Sequence, residues 1–232
     1  MKIKGIQKLT LVDYPGKLAC TIFLFGCNFK CGFCHNPELV IGNDKGGYYE
    51  EEILDFLEKR KKYLDGVCIT GGEPLLSLKD DFLKKIRSLG YLIKIDTNGS
   101  CPERLQWIID KGLVDFISMD IKSSKEKYSE VVDCEIELDK IEESIKIISL
   151  FPNYEFRTTI VGGIHDAEEL MKMMAWLNGV AGKLKEFSLQ GFKNNGKFID
   201  DSFSSKKDIS EDYLIELSNV IKDHCEKVNI RV

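Results

Sequence analysis

The sequence has no apolar run long enough to cross a membrane, and it lacks the apolar segment of a secretion signal. The longest apolar stretch near its start covers residues 18–25, whereas a membrane-spanning helix needs about 20 residues. Residues 1–8 carry positive charge but no apolar core. These absences predict a cytoplasmic protein that makes no membrane contact.

The chain also has few prolines, no linker-like segment and no excess of positive charge. Proline occurs 5 times in 232 residues, and there is no Pro-rich linker, internal repeat or low-complexity tract. Since single α/β barrels reach this length, one domain over residues 1–232 is predicted. Lys and Arg number 33 against 38 Asp and Glu, a net charge of −5, which disfavours binding to nucleic acid.

What is present is a regular alternation of short β-branched runs with amphipathic stretches. Strands are predicted over 18–25, 66–70, 91–97, 114–120, 154–161, 184–190 and 227–232. Helices are predicted over 50–62, 78–89, 102–112, 139–150, 166–179 and 210–223. This alternation is typical of an α/β fold with a parallel sheet. About six such units favour a partial (β/α)6 barrel of parallel strands over a doubly wound open sheet, which the periodicity alone does not exclude.

Unusual polar residues and glycines follow nearly every predicted strand at its carboxyl end. They are Gly71, Gly72, Glu73 and Pro74, then Asp96 and Asn98, then Asp120 and Lys122, and finally His165 and Asp166. Ligands of parallel α/β folds bind at the carboxyl ends of the strands. We therefore expect these residues to meet at one edge of the sheet.

Three of the eight cysteines lie close together, directly after strand 18–25. Cys27, Cys31 and Cys34 have the spacing C-x3-C-x2-C. Disulfides are not expected in a reducing compartment. Small buried residues are a poor explanation for three cysteines in one loop. Structural zinc is an alternative that needs a fourth ligand; His35 could supply it, although it adjoins Cys34 too closely for easy tetrahedral closure. Three thiolates can instead hold a [4Fe–4S] cluster and leave one iron open.

The cysteine spacing, with Phe33 before the last cysteine, resembles the signature of radical S-adenosylmethionine (SAM) enzymes. The runs 71–74, 96–99 and 120–122 resemble that family too, in the same order. The resemblance implies a radical-SAM barrel in which the open iron binds the amino and carboxylate groups of SAM. One electron from the cluster then breaks the C5′–S bond, and the resulting 5′-deoxyadenosyl radical takes hydrogen from the substrate.

Three further segments resemble the activating proteins of glycyl radical enzymes: residues 12–16, 34–38 and 156–161. The activating proteins of anaerobic ribonucleoside-triphosphate reductase are the most similar, and pyruvate formate-lyase activating enzymes come next. The latter typically have a histidine after the last barrel strand, where this chain reads Leu-Gln-Gly-Phe-Lys over 189–193. The resemblance implies a glycyl radical enzyme as partner and flavodoxin or ferredoxin as electron donor.

The resemblance also implies roles for individual residues. Cys27, Cys31 and Cys34 bind the cluster, and the residues expected to contact SAM are Phe33, Gly71, Gly72, Glu73, Asp96, Asn98, Asp120, Lys122 and Arg157. Glycines 71 and 72 let the backbone approach the methionine end closely, and Glu73 positions its ammonium group. Lys122 pairs with its carboxylate. Asp13 and His165 are placed near the substrate mouth, although each also fits an ordinary turn or loop.

Two other kinds of function compete with an activase. One is a radical SAM enzyme acting on a small molecule, such as a deazapurine-forming synthase. The other is a non-catalytic iron–sulfur or zinc protein that senses a signal or binds a partner. The Gly-Gly-Glu-Pro run at 71–74 and the charged strand ends argue against the second alternative, because a sensor needs none of them.

Overall fold

The computed structural model of the protein describes residues 1–194 and 197–232, which form two compact units. The first unit consists of Met1–Asn28, Glu38–Thr97 and Cys101–Ile117. The second consists of Phe29–Pro37, Asn98–Ser100 and Ser118–Val232. The single domain expected over residues 1–232 stays a prediction.

The first unit is built on four strands with three helices. Its elements are β1 (Ile3–Thr10), β2 (Ala19–Leu24), α1 (Glu50–Arg60), β3 (Gly66–Gly71), α2 (Asp80–Ser88), β4 (Leu92–Thr97) and α3 (Pro102–Asp110). Strand β1 is antiparallel to β2, and β2, β3 and β4 are parallel neighbours. In this register Thr21 lies opposite Cys68, which in turn lies opposite Lys94.

Apolar burial explains why these segments form strands and helices. Nearly all side chains of β2, β3 and β4 are buried, as expected for parallel strands covered on both faces. Helix α2 buries Phe82, Leu83 and Ile86 on one side. Cys20 and Cys68 lie in the core, and burial raises the pKa of Cys20 to about 12.

The second unit contains the other parallel strands. Its elements are the end of β5 (Phe116–Asp120), α4 (Tyr128–Val132), α5 (Leu138–Ser149), β6 (Tyr154–Ile160), α6 (Ala167–Ala181), β7 (Leu184–Gly191), α7 (Glu211–Ile221) and β8 (Cys225–Arg231). Strands β6, β7 and β8 are parallel neighbours. Just after β5, the Ile121 N–H donates a hydrogen bond to the Arg157 carbonyl of β6 at 2.8 Å.

The α/β class is confirmed, and each predicted strand and helix corresponds to an observed one. The sequence prediction missed β1 and α4. Strand β1 mixes Lys and Gln with its apolar residues and is exposed or partly exposed over most of its length, so its hydrophobic signal is weak. Helix α4 has five residues, too few to show a helical period. No helix of residues 1–194 and 197–232 has the length and apolar character needed to cross a membrane.

Candidate active site

Two glycines at the end of β3 lie against the backbone that leads from β2 to Cys27. The Gly72 N–H donates to the Leu24 carbonyl at 2.9 Å, and the Glu73 N–H donates to the Gly26 carbonyl at 2.8 Å. A Cβ on Gly71 would lie 2.3 Å from the Leu24 oxygen, and one on Gly72 would lie 2.0 Å from the Gly26 oxygen. Only glycine fits at either position, so this pair fixes the backbone just before the first cysteine.

Glu73 is a buried carboxylate that ties this turn to β4. Its Oε1 accepts a hydrogen bond from the Leu75 N–H at 3.0 Å and another from the Thr97 hydroxyl at 2.9 Å. The first bond caps the short 3-10 turn Pro74–Leu76. Glu73 therefore joins the ends of β3 and β4, a contact for which Thr97 gave no signal in the sequence.

Asp96, one residue before Thr97, forms an ion pair with Lys94 on the same strand. Lys94 is fully buried, while Asp96 retains 8% of its exposure. The ammonium nitrogen of Lys94 lies 3.9 Å from the Cys68 Sγ atom and 6.0 Å from the centre of the Phe116 ring. The sequence analysis identified Asp96 but overlooked Lys94.

Asp13 and Tyr14 follow β1, and they contact β2 and β3 of this first unit. Asp13 Oδ2 accepts a hydrogen bond from the Thr21 hydroxyl at 2.5 Å. Tyr14 is buried, with its ring 3.0 Å from the position of a Cβ on Gly66, the first residue of β3. Burial, with help from Asp115, raises the pKa of Tyr14 to about 12. A role for Asp13 at the substrate mouth stays a prediction.

In the second unit, residues from a later segment of the chain pack tightly against the loop that carries Cys31 and Cys34. Cys34 N–H donates to the Cys31 carbonyl at 3.0 Å. A Cβ on Gly32 would lie 2.8 Å from the Phe203 ring, and the Gly32 carbonyl accepts from the Asp200 N–H at 3.1 Å. Phe33 is buried beside Phe203 as well. Dense packing therefore holds the two cysteines in place.

Asp120, Lys122 and Arg157 form a charged cluster at the ends of β5 and β6. The Arg157 guanidinium binds both oxygens of Asp120, at 2.7 and 3.3 Å, and the Lys122 ammonium lies 3.4 Å from Oδ2. Burial alone would raise the pKa of Asp120, but the two cations lower that pKa well below its usual range. The carboxylate is therefore charged at neutral pH.

Lys122 also lies within electrostatic reach of two cysteines. Burial alone would lower its pKa, but the Asp120 carboxylate and then Cys31 raise it, and Cys34 adds to the effect. A positive charge is thus held beside the loop that carries these thiols. Positive neighbours favour the thiolate form that binds metals.

The segment after Lys122 is held by His165, in the loop between β6 and α6, and by Glu169 in α6. His165 is buried; its Nδ1 accepts from the Val161 N–H at 3.1 Å, so Nε2 carries the proton that is donated to the Lys122 carbonyl at 2.9 Å. Glu169 accepts from the Ser123 hydroxyl at 2.6 Å and from the Ser124 N–H at 2.7 Å. Both residues fix the backbone that carries the Lys122 ammonium.

Asn98, a predicted site residue, and His35, which follows Cys34, both make local contacts. Asn98 Oδ1 accepts from the Ser100 N–H at 2.9 Å, which forms a tight turn after β4. His35 stacks on Phe192 with ring centres 5.5 Å apart, and its Nε2 lies 3.0 Å from the Lys193 carbonyl. The segment that lacks the expected histidine therefore packs against the histidine that follows Cys34.

Comparisons with known proteins identify the family of this chain. A family model of the radical SAM superfamily matches residues 21–177. The chain belongs to the radical SAM superfamily. The Methanocaldococcus jannaschii protein MJ1227 is 33% identical over 99% of this chain and 95% of its own length. Its name gives it, as a provisional assignment, the function of a glycyl-radical enzyme activating enzyme. The pyruvate formate-lyase-activating enzyme of Listeria monocytogenes is 30% identical over 52% of this chain and 53% of its own length.

A solved structure has a similar fold. Streptococcus suis SuiB bound to S-adenosylmethionine has a TM-score of 0.64 and 18% identity, covering 89% of this chain and 48% of that one. This chain thus spans about half of SuiB and about half of the pyruvate formate-lyase-activating enzyme. The predicted α/β fold of the radical-SAM type is therefore confirmed.

Radical SAM enzymes use a [4Fe–4S] cluster and SAM, which are the cofactors that the sequence predicted, and the residues present fit both. Cys27, Cys31 and Cys34 form no disulfide and lie within eight residues of one another in the sequence, as a cluster held by three thiolates requires. The ammonium of Lys122 beside Cys31 and Cys34 offsets part of the negative charge of such thiolates. The identity of the individual cofactor contacts stays a prediction.

Gly72→Ala tests the close approach at the end of β3. Its Cβ would meet backbone oxygen rather than a movable side chain, so we expect a loss of about 3 kcal/mol in the free energy of unfolding and poor iron loading. Gly179→Ala is the control, because a Cβ there meets nothing within 4 Å in helix α6. Thermal unfolding and iron content after anaerobic reconstitution check both. Normal iron loading of Gly72→Ala would contradict the close contact between Gly72 and the Gly26 carbonyl.

The buried neutral state of His165 predicts a pH effect. Burial lowers the pKa of His165, so the unfolded chain binds a proton there more readily. The stabilisation is complete above about pH 6.5 and falls, by at most about 1.4 kcal/mol per pH unit, as the pH drops below that value. Urea unfolding of His165→Gln should show a smaller loss of stability from pH 7 to pH 5 than the unmodified protein. An equal loss would contradict the assignment.

Proposed function

We propose that this radical SAM enzyme is an activase that removes hydrogen from a glycine Cα of a partner glycyl radical enzyme. The observation that carries the proposal is the match to the M. jannaschii protein, which spans nearly the whole of both chains. The SuiB likeness covers about half of that structure and supports the fold alone. We propose further that flavodoxin or ferredoxin delivers the electron and that the enzyme works in the cytoplasm.

Anaerobic ribonucleoside-triphosphate reductase is the proposed partner. The runs 12–16, 34–38 and 156–161 support it, as does the sequence Leu-Gln-Gly-Phe-Lys over 189–193 in place of a histidine. Pyruvate formate-lyase is the second candidate. It is favoured by the named Listeria relative, although that match covers only about half of each chain.

The three cysteines bind the iron–sulfur cluster, and the charged residues at the ends of β5 and β6 bind and orient SAM. When bound, the iron–sulfur cluster supplies the electron, and SAM supplies the adenosyl group that takes the hydrogen. Cys27, Cys31 and Cys34 hold the cluster, and Lys122 binds the carboxylate of SAM. Asp120 keeps Lys122 charged and oriented, and Arg157 keeps Asp120 ionised. A preset arrangement of charges lowers the cost of orienting SAM at the moment of reaction.

The first unit supplies several of the other proposed contacts with SAM. The backbone of Gly71 and Gly72 lies close to the strand that precedes Cys27. The carbonyl groups of these two glycines accept hydrogen bonds from the ammonium group of SAM. Glu73 holds this turn through its bonds to Leu75 and Thr97. Asp96, near the end of β4, completes the proposed contacts from the first unit. Asn98, directly after β4, and Phe33, inside the cluster loop, are proposed contacts from the second unit.

The test is to mix anaerobically reconstituted, reduced protein with SAM and one candidate partner, then record the electron paramagnetic resonance (EPR) spectrum. A glycyl radical on ribonucleotide reductase and none on pyruvate formate-lyase is the expected result. The reverse pattern would replace the proposed partner. Cleavage of SAM with no radical on either would favour a small-molecule substrate, and no cleavage by an intact cluster would favour a sensor.

A further inference from the structure

Strand β4 carries a lysine at a position that is completely enclosed. Lys94 is 0% exposed, and its neighbours Ile93 and Ile95 are also fully buried. Charged side chains are almost never fully buried unless they are paired. Here the partner is Asp96, and the Cys68 sulfur and the Phe116 ring complete the surroundings of the ammonium group.

Lys94 belongs to a row of polar side chains on one face of the first unit's sheet. Lys94 and Asp96 are two residues apart, so both project from the same face of β4. In the parallel register, Cys68 lies beside Lys94 and Thr21 lies beside Cys68. The Thr21 hydroxyl donates to Asp13. Polar side chains thus cross three strands where an apolar core would pack equally well.

Packing alone does not account for the Lys94–Asp96 pair. An apolar pair of similar volume is often as stable as a buried ion pair, or more so. The two ends of the pair also differ in position. The ammonium is completely enclosed, whereas Asp96 is the more exposed partner and lies next to Thr97, which binds Glu73. Lys94 therefore supports Asp96 from within the sheet, and the carboxylate lies toward the carboxyl end of β4.

We propose that Lys94 is a positioning residue for Asp96. Its ammonium group fixes the orientation of the Asp96 carboxylate and balances the charge, so Asp96 meets SAM as a preset hydrogen-bond acceptor. This inference rests on the proposed function only in that Asp96 contacts SAM. It assigns Lys94 no contact with SAM.

The test measures SAM affinity of cluster-loaded protein by equilibrium dialysis, without any partner enzyme. In Lys94→Ala we expect the Kd for SAM to rise about 10- to 100-fold, the range found when a residue that orients a binding group is lost. Added ethylammonium, which restores a cation in the vacated space, should recover most of the affinity. Ethanol of similar size should not. Lys185→Ala, at an exposed lysine of β7, is the control and should bind SAM normally.

Unchanged SAM affinity in Lys94→Ala would overturn the inference, and so would equal recovery with ethanol and ethylammonium, because Lys94 would then only fill space. If Lys94→Ala fails to load iron, Lys94→Met keeps the length of the side chain without its charge. Weak SAM binding by iron-loaded Lys94→Met supports the inference, and normal binding overturns it. Failure of Lys94→Met to load iron would also overturn it, since the role of Lys94 would then be structural. The measurement of SAM affinity uses no partner enzyme. Its result therefore holds even if the separate EPR test finds no glycyl radical on either candidate partner.

Discussion

Cys34→Ser is expected to lower the rate of reductive SAM cleavage by about 10³-fold or more, as removal of one member of a catalytic unit does. A hydroxyl is a poor replacement for a thiolate on iron, and only three cysteines share this loop. The iron content after anaerobic reconstitution should fall with the activity. Release of methionine and 5′-deoxyadenosine, together with iron analysis, measures both effects.

Cys134→Ser is the matched control for Cys34→Ser. Cys134 is also a free, partly buried cysteine of the second unit. Burial raises the pKa of the Cys134 thiol, which disfavours the thiolate needed for metal binding. We expect full iron content and unchanged SAM cleavage in this variant. Equal losses in Cys34→Ser and Cys134→Ser would contradict the assignment of the cluster ligands.

Asp120→Asn is expected to have the second largest effect. It leaves Arg157 and Lys122 without the carboxylate between them. Because this charged cluster is only partly buried, we expect a loss of stability of about 1–3 kcal/mol, less than for a fully buried ion pair. Because Lys122 also loses its orientation, SAM cleavage should fall about 100-fold or more. Activity assays at saturating and limiting SAM, with urea unfolding, measure these losses.

The pH dependence of Asp120→Asn separates the charge effect from simple loss of packing. Since the pKa of Asp120 lies well below its usual range, its stabilisation is present above about pH 4 and is lost as the pH falls below that value. The stability difference between the unmodified protein and Asp120→Asn should therefore shrink in acid. Glu168→Gln, which breaks an exposed pair with Lys172, should cost less than about 1 kcal/mol. A difference that stays constant with pH would contradict the ion-pair account.

Much of the fold follows from hydrophobic periodicity and strand ends. The apolar runs of β2 to β7 are strong signals because these strands are largely buried, whereas β1 mixes buried and exposed residues, which hides it. Gly71, Asp96 and Asp120 were identifiable because unusual residues at the carboxyl ends of parallel strands have few structural reasons to be there.

The residues that the sequence analysis missed act through tertiary contacts. Lys94 looks like an ordinary strand lysine, and only its spacing of two from Asp96 signals the pair. Glu169 looks like a residue of the first helical turn after the cap Asp166, yet its carboxylate binds Ser123 and Ser124. Neither the burial of Lys94 nor the direction of Glu169 is encoded by local propensity.

The EPR spectrum of the reduced, reconstituted protein, recorded with and without SAM, tests the central claim most directly. Three cysteine ligands leave one iron of the cluster open, so SAM should change the g-values of the cluster signal. The protein should carry four irons per chain, as one [4Fe–4S] cluster requires. A spectrum that SAM leaves unchanged, or a preparation with one zinc ion per chain and no iron, would contradict the account.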